Sequence, residues 1–179
     1  MLPELRDGFE SLQRRKADLI ARVAALDPAE RTAAPARGEW SPLQIVQHLL
    51  YVEGLSAGPE VALPPDSAAR PRPGTGMLAK LLAASMRAAI RLPSPDAIAL
   101  PPDDGADLDA LDARWGARRE DLRARLEAVK DPDRMFARHP IAGPLSARQV
   151  LDLCDSHLVY HQKRFPKVGH GGAARSTAG

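Results

Sequence analysis

Apolar residues recur at three- and four-residue steps through most of this chain, which confines it to helices that each bury one face. The first run places Leu5, Phe9, Leu12, Leu19, Val23 and Leu26 in one stripe, with Lys16 in its single polar slot. It predicts a helix from Leu2 to about Leu26, ended by Asp27-Pro28 because proline disfavours helical backbone in the residue before it. The Ala/Pro/Arg-rich run to Glu39 reads as a loop. Ser41-Pro42-Leu43-Gln44 then opens a second helix: serine caps, proline suits the first helical position, and glutamine completes a capping box. This helix is expected to run to Ser56, before Gly58-Pro59, with Gln44, Ile45, His48, Tyr51, Val52 and Leu55 on its largely apolar face.

Seventeen prolines would break helices if they were scattered, but most fall between about Gly58 and Gly76 and between Pro93 and Pro102, where they separate helices. Met77 to Arg91 reads as a shorter helix between the clusters. It has no aromatic anchor, which favours a lid packed on the other helices over a membrane-surface helix. Asp107 to Lys130 forms the next, with Leu108, Leu111, Trp115, Leu122, Leu126 and Val129 inward. The last starts at the second Ser-x-x-Gln cap, Ser146 to Gln149, and runs to about Phe165, before Pro166. No segment shows strand periodicity. The expected fold is therefore all-α, a four-helix bundle with an additional short helix in the long central connection. Residues 1–168 read as one domain, and the Gly/Ala/Ser-rich residues 169–179 as a disordered tail. Gln47 to Tyr51 also echoes Ser156 to Tyr160, a short internal similarity.

Charge and cysteine content narrow the function. With 25 Lys and Arg against 23 Asp and Glu, there is no basic excess of the kind nucleic acid attracts. A single cysteine excludes an internal disulfide framework and a Cys-rich zinc site. No signal-peptide run opens the sequence, and no apolar stretch reaches about 18 residues, so the expectation is a cytoplasmic protein without a membrane partner. Gly-rich phosphate loops, nucleophile elbows and His-Glu-x-x-His motifs are all missing from the sequence.

The five histidines carry the most information. His157 and His161, four apart on one helix, share a face with Cβ atoms about 5–6 Å apart, close enough for both rings to reach one ion. His48 lies on the inner face of another helix. Three imidazoles on one cation would leave a coordination position open, the pattern of a catalytic site. The same spacing suits hydrogen-bonded core histidines, and spacing does not separate the two readings. Nearby, Cys154 is either a ligand or nucleophile, or a small buried side chain. Tyr51 and Tyr160 offer hydroxyls or core rings. Glu53, Asp152 and Asp155 would either orient an imidazole or lie solvated at the surface. His139 faces substrate or makes a structural hydrogen bond. Arg118, Arg119 and Arg164 meet an anion or serve the helices, and His170 falls in the tail.

Trp40-Ser41-Pro42-Leu43-Gln44-Ile45-Val46-Gln47-His48-Leu49, with Glu53 downstream, resembles the first signature of the DinB-like superfamily. His139-Pro140-Ile141-Ala142-Gly143-Pro144-Leu145-Ser146, followed by His157 and His161-Gln162, resembles the second. The similarity spans most of Leu2 to Phe165; the Pro-rich stretch with Met77 to Arg91 is its least characteristic part. The resemblance implies an up-down-down-up four-helix bundle, often dimeric. It also implies a divalent metal, commonly zinc or nickel, on one histidine of the second helix and two of the last, here His48, His157 and His161. It further implies a metal-dependent enzyme acting on a small-molecule substrate. Such an enzyme would activate a low-molecular-weight thiol, as an S-transferase or thiol-dependent isomerase, or a water, as a hydrolase. A non-enzymatic, stress-related metal-binding or interaction protein is the rival expectation.

Overall fold

The structure is a computed structural model and describes residues 1–64, 74–90 and 105–165. It is mostly helical. Its elements are α1 (Pro3–Ala24), α2 (Pro28–Thr32), α3 (Pro42–Ala57), a 3-10 turn (Pro59–Val61), α4 (Thr75–Arg87), α5 (Leu108–Glu127), β1 (Met135–His139), β2 (Gly143–Ser146) and α6 (Ala147–Arg164). None of the described helices is long and apolar enough to cross a membrane.

The helix starts follow the capping chemistry read from the sequence. The Ser41 hydroxyl accepts the Gln44 N–H at 3.2 Å, and the Gln44 side chain accepts the Ser41 N–H at 2.9 Å. Ser146 and Gln149 repeat the exchange at 3.3 and 2.9 Å. Asp107, which the sequence places at the start of the helix without marking it as a cap, also caps α5 by accepting the Ala110 N–H at 2.8 Å. Each cap satisfies amide donors that a helix start would otherwise leave unpaired.

The stripes also bury as expected. Leu5, Phe9, Leu12, Leu19 and Val23 of α1 join Leu111, Trp115, Leu122 and Leu126 of α5 in one core. Lys16, in the polar slot, is largely buried yet reaches Asp112 across the interface at 2.7 Å. Helix α6 runs through the middle of the molecule, packed on α1, α3 and α4. Asp155 accepts hydrogen bonds from Ser11 at 2.9 Å and Arg15 at 2.6 Å, and Asp152 pairs with Arg87 at 2.6 Å. These two carboxylates therefore tie α6 to α1 and α4, and neither orients an imidazole.

The structure corrects the expectation that strands are absent. Strands β1 and β2 form an antiparallel hairpin in which Ala137 faces Leu145 and His139 faces Gly143, with an irregularity between Met135 and Ala137. Gly143, at φ +74°, takes the left-handed conformation that closes the turn, which glycine tolerates without steric cost. Strands of five and four residues, one carrying Pro144, are too short and irregular for alternation to show in the sequence. A second correction concerns the run to Glu39, which contains α2. Asp27-Pro28 begins that helix, the Glu30 carboxylate accepting the Asp27 N–H at 3.0 Å, and α1 has already ended at Ala24. Helix α4 begins earlier than expected and ends at Arg87. Arg91, the Pro93–Pro102 cluster, His170 and the 169–179 tail lie outside the described residues.

Candidate metal centre

Helices α3 and α6 cross so that three imidazoles meet. His48 projects from α3, while His157 and His161 stand one turn apart on α6. Nε2 of His157 lies 3.3 Å from Nε2 of His48 and 3.1 Å from Nε2 of His161. One ligand atom from each ring falls within 4.8 Å of the others, a group that could hold a metal ion. His48 and His161 are buried and His157 half-buried. Trp40 packs over the cluster, its ring centroid 4.6 Å from that of His48 and 6.1 Å from that of His161, stacked on the latter. Tyr160 meets the His161 ring edge-on at 5.0 Å.

Both rings on α6 are held neutral. Burial pushes His161 down to about 3, with His48 and Arg164 adding to the effect. His157 lies well below the ordinary histidine range, first through burial and then through His161, His48 and His139. Neutral imidazoles have lone pairs ready for a cation, and no proton must leave first.

The cluster opens on a cavity of about 680 Å³. Leu49, Val52, Leu82, Met86 and Leu153 give it apolar walls, and Arg164, whose guanidinium lies 5.4 Å over the Tyr160 ring, also reaches it. Cys154 lines it too, but burial pushes its thiol far up, with Glu53 adding to the rise and Arg119 opposing it. It is a buried neutral thiol and stands outside the histidine group. Tyr51 is half-buried and does not line the cavity.

His139, at the end of β1, lines the cavity and is 6% exposed. Its Nδ1 accepts the N–H groups of Ile141 and Ala142, each at 3.1 Å. Burial lowers it to about 4 from 6.5. The sign follows from linkage. The unfolded chain takes up a proton near 6.5 while the folded ring refuses it, so stability is full above 6.5 and falls as pH drops toward 4. Metal-free protein is expected to lose about 1.4 kcal/mol per pH unit from His139 alone across that window. Urea unfolding at pH 7, 6 and 5 measures the slope, and the His139→Asn variant should flatten it by that amount. Equal slopes in the two proteins would refute the assignment.

One pair escaped the sequence reading. Glu53 neither orients an imidazole nor sits in solvent. Arg119, 0% exposed on α5, grips it with Nε on Oε1 and with Nη2 on Oε2 at 2.7 Å, while Nη1 donates to Gln13 at 3.2 Å. The legible signal was a charged residue in the core phase of each helix: Arg119 sits between Trp115 and Leu122 in the α5 stripe, and Glu53 follows Leu49 in that of α3. Arg118, by contrast, is partly exposed and lies 3.8 Å from Glu60.

Comparison with protein-family models gives a match to the DinB superfamily over residues 11–163. No curated protein and no solved structure matches the chain.

Proposed function

The chain belongs to the DinB superfamily, and from that premise we propose a divalent-metal-dependent enzyme that activates a low-molecular-weight thiol toward an electrophilic small molecule. It would act as an S-transferase or a thiol-dependent isomerase. The ligands are His48, His157 and His161, and zinc or nickel is the metal. The observation that carries the reading is the spacing of the ring nitrogens. Ligand atoms bonded at 2.0–2.1 Å to a tetrahedral ion stand about 3.3 Å apart, and two of the three separations here are 3.1 and 3.3 Å.

A divalent cation there supplies a Lewis acid that lowers the pKa of a thiol or water occupying its open position. The protein contributes three uncharged donors, so the full positive charge stays available to an anionic sulfur. The apolar walls exclude water and bind the body of a substrate, and Trp40 fixes the rings of His48 and His161. Thiol activation is preferred to hydrolysis because the carboxylates carried by α3 and α6 are committed elsewhere, and Glu39, which also lines the cavity, is exposed. Glu53 is bound to Arg119, Asp155 to Arg15 and Ser11, and Asp152 to Arg87. A thiol held by such an ion would have its pKa lowered enough to give its proton to bulk water at neutral pH, and would need no such base.

In the same reading α1, α3, α5 and α6 form an up-down-down-up bundle, α4 is the added helix over the pocket, and the protein works in the cytoplasm as a homodimer. Elemental analysis of protein as isolated should find about one zinc or nickel per chain. Assays with a panel of low-molecular-weight thiols and an electrophilic aryl halide should show thiol consumption that stops on chelation and returns with the metal. Stoichiometric metal without turnover on any thiol would leave a non-enzymatic, stress-related metal-binding protein instead.

A further inference from the structure

His139 shares the pocket with the three converging rings yet stands apart from them chemically. Both amides that donate to its Nδ1 have fixed protons, so Nδ1 must present a lone pair. A neutral imidazole with Nδ1 as acceptor carries its proton on Nε2. Burial resists a second proton, holding the group near 4. Nε2 has no hydrogen-bond partner among the described residues, and the side chain is more than nine-tenths buried while still lining the cavity. Such a ring cannot serve as a fourth ligand, because one nitrogen is occupied by amides and the other is protonated. It is a fixed N–H donor that lines a largely apolar cavity, where a ligand's acceptor can take the place of water.

We infer that the Nε2–H of His139 binds an oxygen acceptor of the pocket's ligand, and that this ligand is an apolar molecule bearing a carbonyl group. The cavity, at about 680 Å³, suits a compact organic molecule of one or two rings. Leu82, Met86 and Val52 supply the surface for its apolar body. The inference rests on the proposed function only in taking this pocket as the substrate site.

Two probes test it on metal-loaded protein and again after chelation: the fluorescent naphthalene ketone prodan, and its counterpart with a methylene in place of the carbonyl. The wild type should bind the ketone about fivefold more tightly in both states, the size of one net hydrogen bond. The His139→Asn variant keeps an oxygen acceptor for the two amides and loses the distal N–H. In it the preference should vanish while the methylene compound binds as before. The His139→Gln variant, which returns an N–H near the Nε2 position, should restore part of it. A preference that survives in His139→Asn overturns the inference. So does a wild type that binds the two probes equally or binds neither, or a glutamine variant no better than asparagine. A chain that retains no metal defeats the metal reading separately, since the probe ratio in chelated protein still decides the donor.

Discussion

Replacing His157 by alanine is expected to weaken zinc binding about a hundredfold. A structural zinc site releases roughly 10–16 kcal/mol over four ligands, so one ligand's share is about 3 kcal/mol. His157 should matter at least as much as either partner, because its Nε2 is the one within 3.3 Å of both others. Without it, one ligand on α3 and one on α6 remain, and water would have to fill the vacated position. Competition with a chromophoric chelator at pH 7 measures the effect, and circular dichroism confirms that the helices persist. A metal-free trio joined by hydrogen bonds predicts something different. The wild type would then not compete with the chelator, and the variant would show only a lower melting temperature. Equal zinc affinity in the two proteins would remove His157 from the proposed site.

What could be read from the sequence was local. Helix starts at Ser41, Asp107 and Ser146 are encoded within four residues, and the structure shows a cap at each. The stripes of α1 and α5 predict their own burial. The His157/His161 pair is likewise a property of one helix. Contacts between elements were not legible in this way. That His48 meets that pair depends on how α3 crosses α6; its inner-face position left that open as one of two readings, and the resemblance of two separated motifs favoured it. The roles of Asp152 and Asp155 were missed for a related reason. A carboxylate on a helix shows neither which arginine will reach it nor whether that arginine lies on α1 or α4. The hairpin was missed because its turn depends on a backbone conformation at Gly143, and its strands are too short for a period. Lys16 and Arg119 are the instructive cases. Each interrupts an apolar stripe at a core position, and each proves to pair with a carboxylate, Lys16 partly buried and Arg119 fully.

Replacing Arg119 by methionine is expected to destabilise the fold by about 3–5 kcal/mol, the usual consequence of stranding one member of a buried ion pair. The guanidinium is fully buried beside the Trp115 ring, with its charge matched by Glu53 and a further donor used on Gln13. Methionine fills much of the volume, so the loss is mainly electrostatic: the Glu53 carboxylate, 7% exposed, would have no counter-charge. Lysine should not rescue it, because a point charge cannot engage both carboxylate oxygens in the forked arrangement that arginine makes. The decisive comparison is the double variant Glu53→Leu, Arg119→Met. Removing both charges also removes the desolvation cost, and most of the lost stability should return, within about 1–2 kcal/mol of wild type. Urea denaturation of the three proteins measures the series. An Arg119→Met protein within about 1 kcal/mol of wild type would mean that water reaches the pair. A double variant no better than the single one would place the cost in lost packing around Trp115. The pair joins the helix that carries His48 to the helix opposite, and Glu53 also lines the pocket. Its loss should therefore loosen zinc binding in the single variant and spare it in the double, which ties the stability of the core to the geometry of the proposed centre.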